Sequence, residues 1–273
     1  MPQQPTFAAK LRRWREHRGL SQLALAGEAG VSQRHLSFLE LGRATPSRAM
    51  VERLAAALDI PLRQQNAFLL AAGFAPKWQQ RDLAAPDMAE VASALDYALA
   101  QQEPYPAVVV DRHWNLLKAN AGAVRLMEFL AGPVAPGSPI NLADALVAPD
   151  ALRPHLVNWT EVVHHFIRSV EADAAADGLA EAAALLDRLM RHKGVRAALR
   201  RPPQAGDAGP VLPMHFHKDG TTLRLFTTIA TLGTPQDITA QELRIECFFP
   251  MDEATAGVLR GWAKDDRGSD LDG

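Results

Sequence analysis

Three polar side chains fall at helical spacing in one short stretch: Gln33, Arg34 and Ser37, interleaved with Leu36 and Leu39. If that stretch is a helix, the two leucines take the buried side and the three polar residues face outward. Arginine donates a bidentate hydrogen-bond pair to adjacent acceptors such as guanine O6 and N7, and glutamine exchanges a donor and an acceptor with adenine. Reading base edges in a major groove is therefore the chemistry these residues could do. Ser32, where the stretch begins, belongs to the same surface. Gln22, at the start of a preceding helix, and Arg43, in the loop after Gly42, are placed for backbone phosphates. The expected DNA contacts are Gln22, Ser32, Gln33, Arg34, Ser37 and Arg43.

The elements that must position them are written in caps and staples. Phe7, Leu11 and Trp14 recur at i, i+4 and i+7, which predicts a first helix that Gly19 ends. Ser21 reads as an N-cap, with Leu20 and Leu25 forming a hydrophobic staple, so a second helix runs from Gln22 to about Ala29. Gly30 turns the chain, and Val31, Ser32 and Leu36 repeat the staple and cap ahead of a third helix from Gln33 to about Leu41. Two short capped helices joined by a tight turn make a helix-turn-helix, whose second helix enters the groove. Thr45 and Pro46 predict the cap and first residue of a fourth helix, faced by Val51, Leu54 and Leu58; Phe68, Leu69 and Ala72 predict a fifth. Charge agrees: residues 1–76 hold ten Lys/Arg against five Asp/Glu, net +5, and the remainder 19 against 26, net −7. A polyanion would attract only the first part.

The run GLSQLALAGEAGVSQRHLSFLELG, residues 19–42, resembles the five-helix domain of the XRE family, which includes phage repressors. The resemblance implies a structural ion pair between Arg15 and Glu40, which match the family's paired positions. Leu41 departs from the family, where Asn often precedes the glycine, so the phosphate contact that the resemblance implies there is not carried over to this chain.

At 273 residues, 48% apolar and 22% charged, the chain has room for two globular domains. Its single cysteine, Cys247, excludes an intramolecular disulfide. The basic N-terminus and the lack of any eighteen-residue apolar run argue against export and membrane spanning, so a cytoplasmic protein is expected. The expected organisation is residues 1–75 for DNA binding, 76–104 for a linker and connecting helix, 105–265 for a second domain, and 266–273 for a flexible acidic tail. Residues 106–120, PAVVVDRHWNLLKAN, predict a strand, a turn at Asp111 to His113, a second strand and Asn120 capping a helix to Leu130, the opening of a PAS fold. Proline- and glycine-rich loops at 132–139 and 201–210 bracket helices near 157–170 and 179–192. Three further strands are expected: around Leu212, Met214 and Phe216; over Leu223 to Leu232; and where Leu243, Ile245, Cys247 and Phe249 alternate with polar residues. Asp219-Gly220 turns the first hairpin. A helix from Glu253 to about Lys264 ends the fold. The predicted class is an all-α five-helix helix-turn-helix domain followed by an α+β PAS-like domain, its antiparallel sheet of about five strands covered by helices on one face.

This second part resembles the MmyB-like regulators through residues 103–120, 157–162 and 225–255. That resemblance implies a cavity between sheet and helices for a small, largely apolar effector, with a fatty acid-like molecule as a class, and no cofactor. Trp114, Asn120, Asn158, Trp159 and Phe226 are the candidate ligand contacts, against a plain role for the aromatics as core and for the asparagines as caps. The expected partners are double-stranded operator DNA, the effector and a second copy of the chain. Two alternatives stay open for the second domain, a dimerisation module that binds nothing and an enzyme acting on a metabolite. The sequence has no P-loop, dinucleotide fingerprint or nucleophile elbow, and Cys247 lies in an apolar register. His215 and His217 share a strand face but lack a third ligand, and the adjacent His164 and His165 diverge on a helix.

Overall fold

In the computed structural model, residues 6–133, 137–177, 180–200 and 210–269 are described, and they divide into two compact units. The first unit is Met1–Asp82 together with Gly233–Gln241. Five helices build it: α1 (Phe7–His17), α2 (Gln22–Glu28), α3 (Gln33–Glu40), α4 (Arg48–Ala57) and α5 (Leu62–Ala71). Hydroxyl caps set the starts of α1 to α4, because a cap oxygen must reach the N–H three residues on. Ser21 accepts from Ala24 N at 3.1 Å, and Ser32 from His35 N at 3.2 Å. The fourth helix starts later than Thr45-Pro46 suggests: Ser47 is its cap, accepting from Met50 N at 3.3 Å, and Pro46 precedes the helix. Leu11, Leu25, Leu36, Leu39, Leu54 and Phe68 are fully enclosed in one core.

Two stretches join this helical core. Asn66 of α5 accepts from the backbone N–H of Lys77 and Trp78 and donates to Trp78 O, so the segment after α5 is stitched to it. In residues 233–241, the buried Asp237 accepts from Arg81 Nη1 at 3.0 Å and from Arg81 N at 3.2 Å. Thr239 Oγ1 donates to Arg81 O, and Ile238 N donates to Gln79 O.

The second unit, Leu83–Leu232 and Glu242–Gly273, is an α+β fold around a five-stranded antiparallel sheet of order β2-β1-β5-β4-β3. Its elements are α6 (Ala89–Gln102), β1 (Ala107–Val110), β2 (Leu116–Ala119), α7 (Ala121–Ala131), α8 (Leu142–Val147), α9 (Trp159–Asp177), α10 (Ala180–Arg191), α11 (Val195–Leu199), β3 (Met214–Lys218), β4 (Thr221–Ala230), β5 (Arg244–Pro250) and α13 (Glu253–Ser269); the short α12 (Ile238–Glu242), between β4 and β5, lies in the first unit except for its last residue. The β3–β4 hairpin turns on Asp219 at φ +48° and Gly220 at φ +75°, a pair of left-handed residues.

Both faces of the sheet are covered, where the sequence predicts one. Val108 and Val110 of β1 face α7, α9, α10 and α11, while Ala107 and Val109 pack with Ile245 and Cys247 of β5 on Leu95 and Leu99 of α6. The helix expected as a connector is thus part of the sheet's packing. α13 continues through Ser269, past the point where the sequence suggests a tail, and residues 270–273 lie outside the described residues. The expected loop at 201–210 also lies there except for residue 210. Among the described residues no helix is long and apolar enough to cross a membrane.

Candidate functional site

In the first unit, α2 and α3 form the helix-turn-helix with Leu36 and Leu39 turned inward. Gln33 and Arg34 are exposed and Ser37 is half-buried. The Arg34 guanidinium lies over the Phe38 ring, 5.4 Å from its centroid, one turn along the same helix, which limits its swing. Ser32 is exposed, but its hydroxyl caps α3. The exposed Arg43 follows a glycine termination of α3, in which Gly42 at φ +69° lets Gly42 N donate to Leu39 O and Arg43 N to Phe38 O.

Gln22 has a partner inside the unit. Its amide donates to Glu40 Oε2 at 2.8 Å, and Arg15 meets the same carboxylate through Nε at 2.6 Å and Nη2 at 3.1 Å. Arg15 Nη1 also donates to Leu20 O. The Glu40 side chain is 3% exposed, so α1, α2 and α3 converge on one enclosed carboxylate. This fixes how far α3 stands out from the domain.

In the second unit a cavity of about 350 Å³ lies between the sheet and the helices. β1 supplies Val108, β4 Thr227 and Ile229, and β5 Glu246 and Phe248; α7 contributes Leu126 and Leu130, and α9 Val162, Phe166 and Ser169. Ile229 and Val211 line the cavity yet are exposed, so they mark its mouth. Trp114 also lines it. That residue sits at φ +66° in the β1–β2 turn, where Asp111 Oδ1 accepts from His113 N and Asn115 N, and its ring meets Phe166 edge-on at 4.8 Å.

The other four sequence candidates stand outside the lining. Asn120 is buried and caps α7: its Oδ1 accepts from Ala107 N and Ala123 N, and its Nδ2 donates to Leu99 O and Tyr105 O. Asn158 ties the start of α9 to β3, donating to Pro213 O at 2.7 Å and accepting from His215 N at 3.0 Å. Trp159 donates to Leu146 O and lies beneath the Arg153 guanidinium, 3.8 Å from the ring centroid. Phe226 is on the opposite face of β4, stacked on Phe249. Alternation explains this, since Leu223, Leu225, Thr227 and Ile229 share the cavity side of β4.

The sequence reading passes over Glu246. Because Ile245, Cys247 and Phe249 alternate as an apolar series, the other register of β5 looks solvent-facing, yet it faces the cavity. Phe248, apolar in that polar register, is the signal that both faces are covered. Burial pushes the Glu246 carboxyl up to about 7, against the Thr227 hydroxyl that donates to it and the charge of Arg244.

Comparison with known families agrees with this division. The family model described as MmyB-like transcription regulator ligand binding domain matches residues 91–261, more than half of the chain. The chain belongs to the MmyB-like transcription regulators. A second family model, helix-turn-helix, matches residues 11–65. No curated protein matches the chain. This MmyB-like chain is therefore a transcription regulator that joins an XRE-type helix-turn-helix to a ligand-binding domain, and the cavity lies within the matched ligand-binding region.

Proposed function

We propose that this regulator binds double-stranded operator DNA as a homodimer and that a small, largely apolar effector in the cavity changes its operator affinity. The observation that carries the reading is the cavity itself, apolar on nearly every wall and about 350 Å³ in volume, within the range of small-molecule sites. An alkyl chain like that of a fatty acid suits such walls, whatever head group it carries. Gln33 and Arg34 read base edges, Ser37 stands beside them, and Arg43 holds a phosphate. A dimer places two copies of α3 in successive major grooves, about 34 Å apart. The effector regulates only if it binds the DNA-competent and DNA-incompetent arrangements with different affinity, since equal affinity shifts nothing.

The covalent route for that difference is short. β4 and β5 both wall the cavity, and the segment joining them, residues 233–241, packs in the DNA-binding unit through Asp237 and Arg81. Native mass spectrometry of the purified chain, followed by denaturing extraction, identifies what occupies the cavity. Operator affinity is then measured with and without that molecule, using a site selected from random duplexes. An affinity that the molecule leaves unchanged overturns the reading. Absence of any released molecule, with no thermal shift across a lipid panel, favours a dimerisation module instead.

A further inference from the structure

The cavity has apolar walls with one acidic exception. Among the described residues that line it, Glu246 is the one titratable side chain, and Thr227 and Ser169 add two hydroxyls. β5 is the central strand, paired with β1 through Val108↔Glu246 and with β4 through Ile229↔Glu246. Glu246 is half-buried and lines the cavity, so its side chain meets the ligand space.

We propose that Glu246 is the head-group anchor of this cavity and that the ligand is an apolar molecule ending in a primary amine. This rests on the ligand-cavity reading and names the head group it takes.

A carboxylate accepts several hydrogen bonds, and Thr227 fills one position, which leaves Glu246 acceptor capacity toward the cavity. An anionic head group would stand beside a second carboxyl with no Lys, Arg or His in the described lining to neutralise it. Arg244, two residues along the same face, is engaged: it donates to Asp173 Oδ2 of α9 at 2.6 Å and lies over the Trp114 ring. An ammonium supplies the missing countercharge and three donors, in surroundings where an unpaired charge is costly.

The elements packed around Glu246 bring no other titratable side chain into the described lining. β1 and β4 offer Val108, Thr227 and Ile229, and α7, α8 and α9 line the cavity with neutral residues. His113, beyond Trp114, has its pKa held below the ordinary value by burial and by Arg112.

The test titrates decylamine, decanol and decanoate, each below its micelle concentration, into the full-length chain and into Glu246→Gln, at pH 6 and pH 8. Decylamine is expected to bind tightest to the wild type. Its affinity should rise about tenfold between the two pH values as a carboxyl with a pKa of about 7 ionises. Glu246→Gln should lose at least about tenfold for decylamine and all of the pH dependence, while keeping decanol binding as evidence that the cavity is intact. Equal affinities for the three ligands, a preference for decanoate, or an unchanged amine affinity in Glu246→Gln overturns the anchor while leaving the cavity reading in place. Binding of none of the three, together with no small molecule released on denaturation, overturns the cavity reading as well.

Discussion

Glu40 ties three helices to one carboxylate, and because its partners are Arg15 and Gln22, the residues that brace α3 differ from those proposed to read DNA. The distinction is measurable. Arg34→Ala is expected to weaken operator binding by about 1 to 3 kcal/mol and to relax preference at one base pair. Arg43→Ala should weaken all sequences alike and reduce the salt slope by about one. Fluorescence anisotropy across a panel of single-base operator variants and salt concentrations separates the two, and an Arg34→Ala protein with intact preference would exclude Arg34 as a reader. Glu246 makes a different residue-scale prediction, one of stability. Its folded pKa of about 7 lies above the ordinary value of 4.5, so the native state holds the proton more tightly than the unfolded chain. Its stabilising effect is complete below about pH 4.5 and is lost as pH rises through about 7, a total of about 3 kcal/mol. Urea denaturation of the ligand-free wild type and Glu246→Gln should show the variant gaining on the wild type across that window. A difference between them that is constant with pH would mean the carboxyl is solvated.

At the scale of elements, Asn120 concentrates more structure than its size suggests. One amide side chain satisfies two N–H groups and two carbonyls from the end of α6, the turn after it, β1 and the first turn of α7. Asn120→Ala leaves those groups buried and unpaired, and each orphan costs on the order of 1 to 3 kcal/mol. The expected outcome is a ligand-binding unit that melts far below the wild type in calorimetry, with the helical unit's transition unchanged; a shift of only a degree or two would contradict the knot. The cap was legible in the sequence because Asn before an apolar helix has a local meaning. The three other bonds were not, since they join residues thirteen to twenty-one positions away. The same contrast runs through the molecule. Ser21, Ser32, Gly30 and Gly42 act on neighbours within a few residues, so the helix-turn-helix could be read element by element. Phe226 and Glu246 depend on which face of a five-stranded sheet covers the cavity, and alternation alone cannot choose between two covered faces.

At the scale of the whole chain, regulation requires that occupancy of one site change the free energy of the other, and a link is needed that both can bias. The β4–β5 connection has the right composition for this. Thr227, Ile229, Glu246 and Phe248 sit on its two strands at the cavity wall, while Asp237 within it is buried, paired to Arg81 at 3.0 Å, and accepts from Thr239 N at 2.8 Å. The proposed regulation would run along this backbone, from strands that wall the cavity into a segment held at Asp237. Removing the pin should separate the two functions without destroying them. In Asp237→Ala the ligand still binds, because no cavity residue changes, and DNA still binds, because α3 keeps its caps and its Arg15–Glu40 brace. What falls is the ratio of operator affinities with and without ligand, from the 5- to 150-fold typical of a coupling free energy of about 1 to 3 kcal/mol toward one. Parallel titrations of operator and cavity ligand on wild type and Asp237→Ala measure that ratio directly. A variant that keeps full coupling while losing the Arg81 pair would show that the signal takes another path.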